Sequence, residues 1–259
     1  MSIWKFLRIF VLLFIFVAVL GDTLLTKYRT TNWDNTLRVV VYPINGDASE
    51  QSKEYIQALA NENFSEIGSF MAEEAKQFGI KVQTPMEVEL SRPVSDIPPK
   101  PPLDKSYIPA VMWWSLKMRW WAFRHNNYDG PNPDIRIFVL YYDPANNDAL
   151  AHSLGLEKGL IGVVNAYADK SYNGSNDVVI MHEILHTLGA TDKYNGNGEP
   201  QYPDGYGDPK QKPRYPQKYA EIMSGRIAES ATKSKMAMGL YEVVVGDKTA
   251  REINWLAGN

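Results

Sequence analysis

Apolar residues recur along the chain at two spacings, one typical of strands and the other of helices. Runs rich in β-branched and aromatic residues predict strands at 37–42, 80–82, 86–90, 135–142 and 159–165. Pro43 and the Asn45-Gly46 pair are expected to close the first strand. Apolar residues at helical spacing predict helices at 49–78, ended by Gly79, and at 107–126, 177–188 and 249–255. This alternation predicts an α/β (α+β) fold with a mixed, twisted sheet.

The segment 107–126 is rich in aromatic residues, tryptophan above all, and carries three basic residues. Tryptophan together with cations suits a helix that lies on a membrane surface. The other interpretation is a core helix with its charges outward, and the number of apolar residues that a domain must bury favours it. The proline-rich stretch 91–103 just before this segment predicts a stiff surface loop without regular structure.

The first residues carry a membrane-targeting pattern. Lys5 and Arg8 precede an uncharged run at 9–20, and no convincing small-residue cleavage site follows it, which favours an uncleaved signal anchor over a cleaved signal peptide. We therefore predict an anchor or signal peptide at 1–27, a polar stem at 28–36 and one folded domain at 37–259. The expected location is a single-pass membrane protein whose domain is exported to the periplasm or outside, with cleaved secretion as the second choice.

Composition narrows the function classes. The chain has 259 residues, enough for one large domain with an ample core. Its formal net charge of -3 gives no indication of nucleic-acid binding. It has no cysteine, which excludes disulfides and thiolate zinc ligands but not export.

The sequence His182-Glu183-Ile184-Leu185-His186 places two imidazoles about one helical turn apart on the same face of a helix. Two such imidazoles can share one metal ion, and Glu183 beside them can accept a proton from a metal-bound water. The alternative is a pair of buried histidines with ordinary hydrogen-bond partners. The flanking residues are almost all apolar, so the few polar groups on this helix need partners, and a metal supplies them.

Zinc needs a third protein ligand, and Gly189 allows the chain to reverse so that Asp192 can return to the metal. Here the chain resembles the metzincin zinc peptidases, whose pattern is HExxHxxGxxH followed by a Met-turn. Asp192 stands where most of that clan has a third histidine. The snapalysin-like and immune-inhibitor-A-like members of the clan likewise have an aspartate there. The resemblance covers 177–225 and implies a metzincin-like zincin fold, with an active-site helix, an irregular C-terminal subdomain after the Gly turn, and zinc as the cofactor.

The Met-turn of that family corresponds to Met223 in the segment 220–225, and the resemblance implies that this side chain packs beneath the metal. Glu199 and Glu221 are the alternatives to Asp192 as the third ligand. His125 and His152 do not match the order and spacing of the ligands, so we expect them at the surface or facing substrate.

Three further features stay open at the level of sequence. Oxygen-bearing side chains alternate with glycine at 195–209, which is compatible with a calcium loop, but turn chemistry explains the same residues. The strand at 159–165 is either an edge strand that pairs with extended peptide, as in the metzincin-like fold, or an interior strand. One tyrosine near the cleft would donate to the oxyanion, as in parts of the clan, and the candidates are Tyr194, Tyr202, Tyr206, Tyr215 and Tyr219.

The leading hypothesis is a membrane-anchored or exported zinc endopeptidase. His182, His186 and Asp192 would hold zinc, and Glu183 would take a proton from the zinc-activated water. The alternative is a membrane-tethered binding or assembly protein that keeps the metal but does not turn over, and the intact Glu183 argues against it. The expected partners are a peptide or protein substrate and the membrane, and no nucleic acid.

Overall fold

The computed structural model describes residues 3–102, 104 and 106–257. The main strands are β1 Leu37–Asn45, β2 Met86–Leu90, β3 Ile135–Tyr142, β4 Leu154–Leu156 and β5 Ile161–Tyr167. The α-helices are α1 Ile3–Thr31, α2 Glu50–Gln57, α3 Ser65–Gln77, α4 Ile108–Arg124, α5 Asn173–Thr187 and α6 Asp247–Glu252. Short strands follow at β6 Ala220–Glu221, β7 Arg226–Ala228, β8 Ser234–Met236 and β9 Val243–Val244. The predicted anchor, proline-rich loop and domain each include residues outside the described ones, namely Met1, Ser2, Leu103, Lys105, Gly258 and Asn259.

The five main strands form one mixed sheet in the order β2-β1-β3-β5-β4. Strands β2, β1, β3 and β5 run parallel, and β4 pairs antiparallel with the outer side of β5. The predicted α/β fold with a mixed sheet is therefore confirmed. Because β5 has a neighbour on each side, the interpretation of 159–165 as an edge strand is wrong, and the edge at this end of the sheet is β4.

Helices cover both faces of the sheet, because the central strands are apolar on both sides. In β1, Val39 and Val41 point into a core shared with α2, α3 and α5. The alternate residues Val40 and Tyr42 point the other way, into a smaller core shared with α4. The sheet therefore separates α4 from the helix that carries the histidine motif.

Strand β1 does not end at Pro43, as the sequence predicts, but continues to Asn45. The carbonyl of Pro43 accepts a hydrogen bond from the Val94 amide at 2.9 Å, on the side where β2 has already ended. In a parallel strand the amide of a residue points to the same side as its carbonyl, so the missing N–H of proline interrupts no ladder bond here.

The predicted helix at 49–78 is divided into α2, a 3-10 helix at Asn61–Phe64, and α3. The break lies at Ala60, which is extended (φ -138°, ψ 169°) and whose amide donates to the side-chain oxygen of Asn63 at 2.8 Å. Gly79 ends α3 as expected, with a positive φ of 77°. The predicted strand at 80–82 is absent from the sheet, because the Ile80 amide instead closes the end of α3 on the carbonyl of Ala75.

Helix α4 is confirmed, but the prediction that it is a core helix with its charges outward is wrong in part. Trp114, Met118 and Ala122 are buried against the sheet. Most of the other large apolar side chains on this helix are exposed, because the sheet covers only one side of it.

Helix α1 extends through the first residues of the predicted stem and is attached to the domain at its C-terminal end. Lys27 pairs with Glu157 and Arg29 with Asp134. Just after the helix, the buried indole of Trp33 donates to the carbonyl of Ile253 at 2.7 Å. Among the residues that the structure describes, no helix combines the length and apolar character needed to cross a membrane.

We expect Asp177→Asn to change how stability depends on pH. Burial, and to a smaller degree the charge of Glu66, raise the pKa of Asp177 from 3.8 to about 7. The folded chain keeps this proton to a higher pH than the unfolded chain, so the stabilisation is present below the unfolded pKa and is lost as pH rises through the folded pKa. The variant has no such proton to lose. Between about pH 4 and pH 8, the free energy of unfolding of the variant should therefore rise by roughly 2–4 kcal/mol relative to that of the wild type. Urea unfolding at both pH values measures this, and parallel profiles for the two proteins would contradict it.

Candidate metal centre

Helix α5 brings the two histidines of the motif to one face because its other faces are buried. Met181, Ile184 and Leu185 belong to the main core under the sheet. The helix begins at Asn173, earlier than predicted, and Asn176 does not cap it. Instead the Asn176 side chain bonds both the amide and the carbonyl of Tyr167, at 3.1 and 2.9 Å, and thereby ties the helix to the end of β5.

Three side-chain atoms converge beyond the end of this helix. Asp192 Oδ1 lies 3.2 Å from His182 Nε2 and 3.0 Å from His186 Nε2. The chain reverses at Gly189, whose φ is 103°, and so returns Asp192 to the histidines as the sequence predicts. Among the described residues, this is the one group of three histidine or carboxylate ligands in which all the ligand atoms lie within 4.8 Å of one another.

The other nitrogen of each ring faces a backbone carbonyl. His182 Nδ1 lies 3.0 Å from the carbonyl oxygen of Ile222, and His186 Nδ1 lies 2.8 Å from that of Ala190. A carbonyl oxygen only accepts, so each Nδ1 must carry a proton and donate it. In the neutral rings, both Nε2 atoms then present lone pairs toward a carboxylate that also offers lone pairs. This donor set fits a cation at the point of convergence, and two nitrogens with one oxygen suit zinc.

The titration behaviour of the three groups follows from the same geometry. Burial would raise the pKa of Asp192, but His182 and His186 in their protonated, charged form donate to this carboxylate, and those hydrogen bonds and charges outweigh burial and hold the pKa far below its usual range. For His186, burial is likewise outweighed, by the Asp192 hydrogen bond and the Glu183 charge, and its pKa is raised. The pocket is therefore electrostatically matched to positive charge between these side chains.

Glu183 is buried beside the cluster without belonging to it. Its Oε2 atom is inaccessible to solvent and has no hydrogen-bond partner among the described residues. Burial raises the pKa of Glu183, and the neighbouring His182 and His186 only partly offset that rise. An unpartnered carboxylate oxygen in such a place is costly unless a water or a substrate group bonds it.

The edge strand β4 lies directly against the histidine helix. A Cβ atom added at Gly155 would come 2.5 Å from His186 Cβ, 2.7 Å from the Glu183 carbonyl oxygen and 3.2 Å from Glu183 Oε2. Only glycine allows the strand and the helix to approach this closely. The free edge of the sheet is therefore adjacent to the ligand cluster.

The segment 220–225 passes beneath the cluster, where the sequence predicts a Met-turn. Met223 is fully buried in the main core, and the neighbouring Ile222 supplies the carbonyl that holds His182. Glu221, an alternative third ligand, instead accepts hydrogen bonds from this segment and from the start of α6. Its carboxylate accepts from the Met223 amide at 2.7 Å, the Gly246 amide at 3.2 Å and the Thr249 hydroxyl at 2.6 Å.

A buried ion pair that the sequence analysis missed fixes the loop of Asp192. Lys193 is 3% exposed, and its Nζ donates to Glu252 Oε2 at 2.7 Å and to the Thr191 carbonyl at 2.6 Å. Its backbone amide donates to the Met223 carbonyl at 3.0 Å. Thr191 also donates its amide and its hydroxyl to Glu252. Thus the residues on both sides of Asp192 are anchored to α6, and Lys193 is anchored to segment 220–225 as well. No sequence signal links residues so far apart in the chain.

Of the five candidate tyrosines, Tyr194 is the one that the structure brings to the ligands. Its ring stacks on His182 with a centroid distance of 6.3 Å. Burial and the nearby Asp192 carboxylate raise the pKa of Tyr194 to about 12, so its hydroxyl keeps its proton at neutral pH. Tyr206 and Tyr215 bond each other through their hydroxyls at 2.7 Å, and Tyr202 stacks with Arg214.

The remaining histidines and the glycine-rich loop lie apart from this cluster. His152 is exposed, and His125 bonds Asp96 at 2.8 Å and stacks on Trp121. In the loop, the side-chain oxygen of Asn195 accepts from the amides of Asn197 and Glu199, as turn chemistry explains. Calcium binding at 195–209 stays a prediction.

Comparison with known proteins adds no family. No protein-family model matches this chain, and no curated protein matches it. The argument for function therefore depends on the site itself.

We expect Gly155→Ala to destabilise the protein and disturb the cluster, because the added Cβ would overlap the backbone of Glu183 and the Cβ of His186. Overpacking of this kind costs about 1–3 kcal/mol. The matched control is Gly196→Ala, since nothing lies within 4 Å of a Cβ added there. Urea unfolding of the full chain in mild detergent compares the two, and equal midpoints would contradict the close packing of β4 on α5.

Proposed function

We propose that this chain is a zinc-dependent peptidase. The observation that carries the proposal is the convergence of His182 Nε2, His186 Nε2 and Asp192 Oδ1, while both Nδ1 atoms face backbone carbonyls. His182, His186 and Asp192 would supply the three protein ligands that a catalytic zinc site needs, and the carbonyls of Ile222 and Ala190 fix the tautomers of the two imidazoles. When bound, zinc lowers the pKa of a water and polarises a carbonyl oxygen.

Glu183 is the general base in this proposal. Its carboxylate lies beside the ligands, and its buried Oε2 has no partner among the described residues, so this group would gain a bond from a water or substrate group held there. Burial raises the pKa of Glu183, which makes its carboxylate a stronger base toward that water. Glu183 would accept one proton from the water as it attacks the scissile carbonyl, and would then give that proton to the leaving nitrogen.

The substrate class follows from the edge of the sheet. Strand β4 has β5 on one side only, and Gly155 holds it against Glu183 and His186. An extended peptide paired with the free side of β4 would place its main chain beside the cluster, with little dependence on side-chain sequence. Tyr194, next to Asp192, is the candidate donor to the oxyanion that develops on the scissile carbonyl.

The family assignment is part of the same proposal. The pattern His182-Glu183-x-x-His186-x-x-Gly189-x-x-Asp192 and the buried Met223 agree with a metzincin-like site whose third ligand is aspartate. Export of the domain, with residues 1–27 as its targeting segment, is supported by Lys5 and Arg8 ahead of an uncharged run.

Removing the carboxylate of Asp192 should weaken zinc binding. We expect Asp192→Ala to lower zinc affinity by about a hundredfold or more, because losing a ligand costs more than the 10- to 100-fold effect of losing a group that only orients a ligand. Glu199→Ala, which removes the alternative third ligand, should leave the affinity unchanged. Competition titration of the metal-free full chain against a zinc chelator measures both variants. A loss in the Glu199 variant alone would transfer the ligand role to that residue.

Glu183→Gln should retain zinc and lose peptide cleavage. The amide cannot act as a base, so we expect the rate on a broad substrate such as unfolded casein to fall by roughly a hundred- to ten-thousandfold. Glu62→Gln, on the exposed 3-10 helix, is the control and should cleave normally. Zinc binding without cleavage by the wild-type chain would instead favour the non-catalytic binding protein.

A further inference from the structure

Helix α4 presents a continuous apolar surface to solvent. Six large apolar side chains on one side of this helix are each between 55% and 71% exposed and recur at helical spacing. We call this surface the outer face of α4, and it consists of Ile108, Met112, Trp113, Leu116, Trp120 and Phe123. Contiguous apolar patches of this kind are rare on soluble monomers and mark contact sites. The same helix already buries Trp114, Met118 and Ala122 against the sheet, so packing of the core does not account for the outer face.

The charged side chains of α4 itself have one sign, and the acidic residues that line the cleft beside Phe123, Asp134 and Glu157, are paired with Arg29 and Lys27. Helix α4 contains Lys117, Arg119 and Arg124 and no acidic residue. Lys117 and Arg124 are exposed, and Lys117 Nζ lies 5.6 Å from the centre of the Trp113 ring. Tryptophan and phenylalanine with flanking cations are the composition of helices that lie in the headgroup region of anionic membranes.

The outer face of α4 adjoins a second exposed apolar surface. The C-terminal end of α1 and the C-terminal end of α4 line one cleft, to which Thr26, Arg29, Arg119 and Phe123 contribute. Ahead of this cleft, α1 exposes a long series of apolar side chains: Ile9, Phe10, Val11, Leu12, Leu13, Phe14, Phe16, Val17, Leu20, Leu24 and Leu25. The apolar series of α1 therefore ends at the cleft where α1 and α4 meet.

We propose that the outer face of α4 docks onto the surface of an anionic lipid bilayer. The aromatic rings lie among the headgroups and upper acyl chains, while Lys117 and Arg124 bond lipid phosphates. The apolar residues of α1 contact the same bilayer, so the domain is held by two elements rather than by one flexible tether. This inference does not depend on the peptidase activity, because none of these residues belongs to the metal centre.

The chain has no cysteine, which allows a single fluorescent label to report on α4 alone. Leu116→Cys places an environment-sensitive label such as NBD on the outer face, and Glu54→Cys places it on exposed α2, which packs on the opposite face of the sheet. The full-length chain is reconstituted with vesicles of phosphatidylcholine containing phosphatidylglycerol. We expect the emission at position 116 to rise about twofold or more and to be quenched by lipids spin-labelled in the upper acyl chain. The label at position 54 should change little.

The charge variant separates docking of α4 from attachment through α1. Combining Lys117→Gln with Arg124→Gln should reduce the docking equilibrium constant by about fivefold per cation, and vesicles of phosphatidylcholine alone should reduce it similarly. If the chain sediments with the vesicles but the label at position 116 stays in water, the proposal is wrong. It is also wrong if the emission rises without lipid in step with dimer formation, since a second copy of the chain then covers the face.

Discussion

The candidate metal centre depends on two hydrogen bonds that involve no acidic side chain, those from His182 to the carbonyl of Ile222 and from His186 to the carbonyl of Ala190. They orient the imidazoles and determine which nitrogen carries the proton. Both acceptors lie outside helix α5. The histidine motif therefore becomes a set of ligands only after the Gly189 turn and the Met-turn segment have folded around it.

The local parts of this arrangement could be predicted from sequence. The helix, the positive φ at Gly189 and the return of Asp192 all follow from spacing within a few residues. The strands of the sheet follow from dense β-branched runs, with small differences at their ends. Where the prediction was wrong, at 80–82 and at Pro43, a backbone hydrogen bond to a distant or preceding residue decided the structure.

The non-local parts could not be predicted. Glu221 was an alternative third ligand at the level of sequence, yet three donors, from Met223, Gly246 and Thr249, occupy its carboxylate. Lys193 and Glu252 form a buried pair across the fold. The interpretation of 159–165 as the edge strand missed β4, because a strand of three residues carries too little pattern to be recognised in a sequence. In helix α4, apolar spacing indicated burial but could not show that only one side would be covered.

The Lys193–Glu252 pair has a consequence for the order of assembly. Asp192 sits in a loop whose position is set by a residue of α6, and α6 is made long after the histidine helix. A chain still emerging from the ribosome holds the two histidines without the anchor that places the carboxylate between them. If the cluster binds a cation as proposed, capture by all three groups has to wait until residue 252 is made. Under that proposal, chelation is a late event in the biogenesis of the protein.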